Sequence, residues 1–450
     1  MTDIYNKVTQ LLIDLIQIPS ITPVKEEQRS AAQDTLKALQ QQLSHTGASF
    51  DWLSYSGGHD KWGYAVDNLY IEWTFGKPEY HLCFLGHTDV VPVGNIDRWS
   101  VEPFSAAKKD GWIYGRGATD MKGAIAAYAI AVSEIAQRQA QLPEGEQLNL
   151  TLSMIITTDE EWAAVNGTDK VLAWLARSGK TPNAFIVGEP SSQDILGSHL
   201  KLGRRGSLCG TIVAKGVQGH AAYSDLFVNP NRALGLALSI LQTHSFDDAR
   251  ADFPKSQFEI IALDSGDFNA TAIVPAEASA LWNCRFTPSY TPQEIYERLK
   301  AVLANPPDWA QNHPDFHLLS NIEIKANIDT VSIPYYAPAG EICAMAVEAI
   351  QEVVHSSPIL DGSGGTTDGR FIHKYFPEAE IIELGLPEKG GMAHGDQQSP
   401  AYGKQGGMHQ VDERCLEKDL HGLYDIYYSI LLSLSQKHSR SVNVRQTVVL

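Results

Sequence analysis

The sequence predicts an α/β protein. A mostly parallel central sheet flanked by helices forms one domain, and an inserted α+β domain interrupts it. Three observations predict this. At 450 residues the chain exceeds what one hydrophobic core usually organises, so two domains are expected. Helix-like and strand-like segments alternate from residue 1 to about 205 and again from 329 onward, the texture of helices layered over a parallel sheet. Between 206 and 328 strand-like segments gather around two helices, which marks the insert. The expected domains are 1–205 with 329–450, and 206–328.

Each element follows from its spacing. Ile4, Val8, Leu11, Leu12, Leu15 and Ile16 recur at helical intervals, so the chain opens with an amphipathic helix. "YHLCFLGHTDV" reads as a buried strand, "MKGAIAAYAIAVSEIAQRQA" as a long helix, "LNLTLSMIITTDE" as a strand, "DKVLAWLARSG" as a helix and "NAFIVGEP" as a short strand. In the insert, "SLCGTIVAKGV", "FEIIALDSG" and "ATAIVPAEASALWNCRF" read as strands, while "NPNRALGLALSILQTH" and "TPQEIYERLKAVLANP" read as helices. The alternation then resumes with the helix "GEICAMAVEAIQEVV", the strand "EAEIIELGL" and a last helix from Leu416 to about Ser435. The stretch "LPEKGGMAHGDQQSPAYGKQGGMHQVDE" is Gly-rich, polar and long, the composition of a functional loop.

Composition narrows the classes. With 43% hydrophobic and 20% charged residues the chain is globular rather than disordered. Its net charge of −18 argues against a nucleic-acid partner. The five cysteines are scattered and form no CxxC, which argues against a disulfide framework and a thiolate metal site. The first 20 residues carry acids and lack an uninterrupted apolar run, so they do not read as a signal peptide. No stretch reaches the ~20 apolar residues of a membrane span. A cytoplasmic protein with no membrane partner is expected.

The chemistry-bearing residues gather at expected strand ends, where open α/β sheets place their sites. His87 and Asp89 end one apolar run, Glu160 and Glu161 another, and Glu189 a third. Asp120 lies in the Gly-rich turn "YGRGATDMKG", and His409 follows in "GGMHQVDE". Singly, each has a structural explanation: a core His–Asp pair, solvated helix charge, a helix N-cap. Together they are more unpaired carboxylates than a core accommodates, and they form the N/O donor set that divalent ions such as zinc take.

The spelling of these phrases resembles the superfamily of dinuclear zinc amidohydrolases that includes aminoacylases, carboxypeptidases and amino-acid deacylases. Within it the chain is most similar to the bacterial succinyl-diaminopimelate desuccinylases. "GHTDVVPVG", "GRGATDMKG", "DEEWAAVNGT", "VGEPSS", "GRRGSL", "GVQGHAAY", "GGTTDGRF" and "HQVDE" carry the resemblance, from about residue 84 to 413. It implies a zinc-binding catalytic domain with an inserted dimerisation (lid) domain, and two Zn²⁺ ions, with Co²⁺ able to substitute. His87 and Glu189 then hold one ion, Glu161 and His409 the other, and Asp120 bridges them. Asp89 orients His87 through its second ring nitrogen. Glu160 is left as general base. His220 acts in the partner subunit's site on the tetrahedral oxyanion, so a homodimer through the insert is implied. Arg205, Arg285 and Arg370 are matched to the carboxylates of a small N-acyl amino-acid substrate, with Gly365 and Thr366 as further donors. The implied reaction removes succinate from N-succinyl-LL-2,6-diaminopimelate.

Three departures stand against the pattern. Ala272 occupies the place of an expected Asn, with Asn269 nearby but out of register. Ser224 and Asp225 follow "GVQGHAAY" where relatives carry Pro-His. The loop before His409 is longer than usual, and His394 competes with His409 as the last ligand; His409 is favoured because "HQVDE" runs directly into the final helix. The departures leave the metal chemistry standing and keep other substrates open: N-acetylornithine, other acyl amino acids or dipeptides. A non-catalytic binding homologue is the remote alternative.

Overall fold

The computed structural model describes residues 2–22, 29–57, 65–143, 148–193, 195–247, 250, 252–328, 331–388 and 406–438. The chain divides into two compact units, one of Met1–Gly203, Ala337–Asp361 and Thr367–Leu450, the other of Arg204–Tyr336 and Gly362–Thr366.

The first unit is built on an eight-stranded mixed sheet. Its order is Ser49–Tyr55, Val66–Phe75, Leu150–Thr157, Tyr80–His87, Ala184–Val187, Glu380–Glu383, His199–Lys201, Ile359–Asp361. The middle pairings are parallel: Tyr80–His87 with both Leu150–Thr157 and Ala184–Val187, and Ala184–Val187 with Glu380–Glu383. The first two strands run antiparallel and cap one edge. The central strands are buried throughout, which explains their unbroken apolar runs. The Gly123–Ala140 helix is apolar on nearly every side and is correspondingly buried. It packs with Thr2–Ile16 and Glu417–Lys437 in one core, where Phe84 stacks on Tyr128 at 4.3 Å.

The second unit is a four-stranded antiparallel sheet in the order Gln257–Ser265, Glu277–Phe286, Gly206–Lys215, Ile322–Ala326. Its own core joins Leu208, Ile212, Trp282 and Phe286 of the sheet to Leu241 and Leu299 of the helices Pro230–Thr243 and Pro292–Ala304. "TPQE" starts the second helix with a full capping box between Thr291 and Glu294. This unit extends beyond the expected 206–328. Ser332 pairs with Ser207, and the Gly362 amide donates to the Asp252 carbonyl, which draws both flanking segments in. The single strand expected over "ATAIVPAEASALWNCRF" is two, Ile273–Val274 and Glu277–Phe286, because Pro275 interrupts the ladder between them. Gln257–Ser265 lies at the sheet edge and leaves Ile261 and Leu263 exposed, as is Phe268 just beyond it.

Two predictions follow from the packing of the central strand. A Cβ on Gly188 would lie 2.4 Å from Phe84 Cζ and 2.7 Å from Met121 Cε. Gly188→Ala is expected to destabilise the fold by ~1–3 kcal/mol in denaturant unfolding. His81, near the start of the Tyr80–His87 strand, is buried with Nε2 2.7 Å from Ser153 Oγ, and burial pulls its pKa down to about 4. The unfolded chain, with a His pKa of ~6.5, therefore binds the proton first. Stability from neutral His81 is full above ~6.5 and is lost as pH falls toward ~4. His81→Gln should flatten the fall of melting temperature across that window relative to wild type.

Candidate metal centre

Strand register brings the candidate ligands to one edge. His87 ends its strand directly opposite Thr157, and Leu85 lies opposite Val187. The chain beyond Thr157 delivers Glu160 and Glu161, and the chain beyond Val187 delivers Glu189, all beside His87. Asp120 arrives from the turn before the Gly123–Ala140 helix. There Gly117 adopts φ 87°, a left-handed conformation that glycine takes without penalty, and a cis peptide bond joins Asp120 to Met121. His409 comes from the turn that leads into the final strand and helix, itself at φ 63°.

Asp120 stands between the two imidazoles. Its Oδ1 is 3.2 Å from His87 Nε2 and its Oδ2 is 3.3 Å from His409 Nε2. Glu189 Oε1 lies 3.7 Å from His87 Nε2, and Glu161 Oε1 lies 2.9 Å from His409 Nε2. Donor atoms of His87, Asp120 and Glu161 fall within 4.8 Å of one another, and so do those of His87, Glu160 and Glu189. Glu160 thus shares the His87–Glu189 group rather than standing apart from it.

Asp89 divides its work differently from the expectation. Its main-chain carbonyl accepts from His87 Nδ1 at 2.9 Å, while its carboxylate Oδ1 is 3.6 Å away. The carboxylate instead accepts the amide N–H groups of Glu160 and Glu161 at 3.0–3.2 Å. The tight turn after the strand brings the carbonyl nearer the ring than the side chain. Either way Nδ1 carries the proton and Nε2 faces the cluster.

Burial and mutual repulsion dominate the electrostatics. Burial raises the pKa of Glu160, and Glu189 and Asp368 raise it further. Burial and then Asp120 raise that of Glu161, against the opposing pull of His409. Burial works against a charged His87, yet Asp120 and Glu189 outweigh it and hold its pKa well above the usual value. The Asp120 and Glu161 carboxylates lift His409 to about 10. Asp120, although buried, is held low by the two imidazoles. The donor set fits divalent ions. Metal–N and metal–O bonds of ~2.1 Å imply tetrahedral ligand edges of ~3.4 Å, and the separations on either side of Asp120 are 2.9–3.7 Å.

The remaining candidates are placed as follows. Arg285 lies in the Glu277–Phe286 strand opposite Ser207 and Gln257. Arg205 donates Nη1 to the Lys255 carbonyl at 3.2 Å. Arg205 Nε and Arg285 Nη1 are buried without a hydrogen-bond partner among the described residues. Burial lowers the pKa of both, and Arg285 lowers that of Arg205 further. Thr366 is half-buried, and Gly365 has open space where a side chain would go. His220 is exposed in the short strand Gly219–His220 and accepts from the Ala222 amide. The Ala272 carbonyl accepts from the Ala221 amide beside it, and Asn269 is tied into a turn by Asp267. Arg370 belongs to the first unit and faces inward, Nη1 donating to the Thr367 carbonyl and Nη2 lying 3.2 Å from Asp368. His394 lies outside the described residues.

Sequence reasoning passed over three groups that support the cluster. Glu413, inside the quoted "HQVDE", is fully buried and receives three main-chain N–H groups and Arg116. Asp368 is buried beside Glu160. Asp159 accepts the amides of Val165 and Asn166 and so closes the turn that follows Glu161. Each is buried among amides or charged groups, several of them brought in from distant segments, a signal visible only in three dimensions.

The chain is 36% identical over 423 residues to a protein of Bradyrhizobium diazoefficiens named succinyl-diaminopimelate desuccinylase, covering 93% of this chain and 96% of that one. A protein of the same name from Parvibaculum lavamentivorans is 35% identical, covering 94% of each. In fold the chain is similar to the crystal structure of an M20 family metallo-carboxypeptidase from Sulfolobus solfataricus, with a TM-score of 0.68 at 18% identity over 94% of this chain and 98% of that one. The model of peptidase family M20/M25/M40 matches residues 83–433, and the chain belongs to that family.

Proposed function

We propose that the chain is a metal-dependent amide hydrolase that removes succinate from N-succinyl-LL-2,6-diaminopimelate, releasing LL-2,6-diaminopimelate. The observation that carries this reading is Asp120 offering one oxygen to each of two imidazoles within a cluster of carboxylates. The substrate follows from the two relatives of that name, which match almost end to end.

His87 and Glu189 would hold one ion, His409 and Glu161 the other, with Asp120 between; zinc is the proposed metal and cobalt a substitute. Ions held there supply Lewis-acid polarisation of the amide carbonyl and stabilise its developing negative charge. Asp89 fixes the His87 tautomer through its carbonyl and holds the Glu160–Glu161 backbone through its carboxylate. Glu160 is the proposed general base. Its buried, like-charged surroundings favour taking up a proton. It would accept the proton of the attacking water and deliver it to the leaving amine nitrogen.

Arg205 and Arg285, whose guanidinium nitrogens include buried donors still lacking a partner among the described residues, are proposed to bind substrate carboxylates, with Gly365 and Thr366 adding donors. Arg370, which lies 3.2 Å from Asp368, is proposed to bind a substrate carboxylate as well. The exposed apolar edge at Ile261, Leu263 and Phe268 supports a homodimer through the inserted unit, in which His220 would serve the partner's site. All five cysteines are free, which supports a reducing, cytoplasmic setting. Among the described residues no helix is long and apolar enough to cross a membrane.

Two measurements test the reading. Glu160→Gln should lower kcat by ~10²–10⁴-fold with metal content unchanged; wild-type turnover would remove Glu160 from the chemistry. N-succinyl-LL-diaminopimelate should be hydrolysed faster than N-acetylornithine when zinc is present, and neither should be hydrolysed under chelation. Metal-dependent turnover of N-acetylornithine alone would keep the mechanism and assign the specificity to Ala272 and its surroundings.

A further inference from the structure

We infer that Glu413 is a positioning residue that fixes Asp120 and His409 relative to each other, and so sets the site they share with Glu161. The inference rests on the two-metal reading above.

Asp120 and His409 come from segments nearly 290 residues apart in sequence, Asp120 from a distorted helical turn over Ala118–Lys122 and His409 from outside any helix or strand. Asp120 has non-helical backbone angles, φ −119° and ψ 95°, at the kink before its helix. The amides around it therefore lie outside any helical ladder and need another acceptor. Glu413 Oε1 is that acceptor for three of them, Gly117 at 3.1 Å, Thr119 at 3.2 Å and Asp120 itself at 3.2 Å. Its other oxygen, Oε2, accepts from Arg116 Nη1 at 2.5 Å. The Glu413 main-chain carbonyl also accepts from the Gly115 amide at 2.8 Å, and Thr119 Oγ1 donates to the Arg414 carbonyl at 3.0 Å.

The link then returns to the second ligand. Arg116 Nη2 reaches the carbonyls of His409 and of Pro92, both at 3.4 Å. His409 itself is in the left-handed region, where a non-glycine residue stays only when its surroundings hold it. A closed circuit runs from the Asp120 amide through Glu413 and Arg116 to the His409 carbonyl. Glu413 is 0% exposed and Arg116 1%, so water does not compete for these bonds. Charge-assisted bonds of this kind are the strong ones, and removing one partner leaves the other buried and unpaired. Asp120 faces both imidazoles while His409 serves one position, so the circuit bears most on the position that His409 and Glu161 share.

The test is calorimetric titration of the chelator-stripped full chain with Zn²⁺, alongside thermal unfolding of each metal-free variant. Wild type should take up two equivalents. Glu413→Gln should weaken one equivalent by ~10–100-fold and the other by clearly less. Arg116→Lys, which keeps the cation and loses the fork, should act in the same direction and carries the test if Glu413→Gln does not fold. Glu72→Gln supplies the control for a merely structural loss. It breaks the 2.6 Å pair with Lys180 near the start of the central strand, and should lower the melting temperature with both zinc affinities intact. A folded Glu413→Gln protein that binds both equivalents as wild type does, or loses both to the same degree, overturns the inference. Wild type binding fewer than two equivalents overturns the two-metal reading and this inference with it.

Discussion

Acids buried together repel one another, and the ligand edge of the large sheet is organised around that repulsion. Asp89, Asp120, Glu160, Glu161 and Glu189 converge there with two imidazoles. At the effective dielectric of a protein site, two like charges 4 Å apart cost ~4 kcal/mol, several times their cost in water. The cluster cannot keep every carboxylate ionised with protein groups alone. Burial and like-charged neighbours push Glu160 and Glu161 towards their neutral forms, while the carboxylates push His87 and His409 towards their charged forms. Divalent ions are the other way to settle the same imbalance, and the only one that leaves the donor lone pairs in use. Such a cluster costs folding energy, so it persists because the surrounding fold over-determines it.

That over-determination has a repeated form. Besides the acids that face the cluster with their ligand atoms, the site uses buried carboxylates to collect main-chain amides. Asp89 takes the amides of Glu160 and Glu161, Asp159 those of Val165 and Asn166, and Glu413 those of Gly117, Thr119 and Asp120. A carboxylate can satisfy two or three donors at once, which suits turns whose N–H groups have left a helix or strand. The turns that carry Asp120, Glu160 and Glu161 are thereby fixed. The rigid part beneath is the parallel register, which places the ends of three central strands side by side.

Much of this was legible in the sequence. The ligand-bearing strand ends stand out because parallel strands, buried on both faces, read as unbroken apolar runs that stop at a polar phrase. The helix Gly123–Ala140 was legible for the same reason of uniform burial. The helix Arg29–Leu43 is harder to see, since its glutamines mask a narrow apolar stripe of Ala32, Leu36, Leu39 and Leu43. The edge strand Ser49–Tyr55 is mostly uncovered and mixes apolar with polar residues, so periodicity barely marks it. The inward turn of Arg370 depends on Asp368 being buried, and the choice between the Asp89 carbonyl and carboxylate depends on a difference of under an ångström. Such distinctions belong to tertiary geometry, and no residue pattern encodes them locally.

The two imidazoles are held on unequal terms. His87 is 2% exposed at its side chain, ends a central strand and has its far nitrogen fixed by a carbonyl. His409 is 48% exposed at its side chain and sits on a left-handed turn. Solvent reaches His409, so protons and water compete there for the same lone pair. Rigidity on the His87 side comes from the sheet itself and is inseparable from folding. Rigidity on the His409 side has to be imported across the chain from the turn that carries Asp120. An edge built this way can keep one half of the site permanently formed while the other half stays open to exchange with solvent, and its buried bonds to the Asp120 turn are what keep that open half in place.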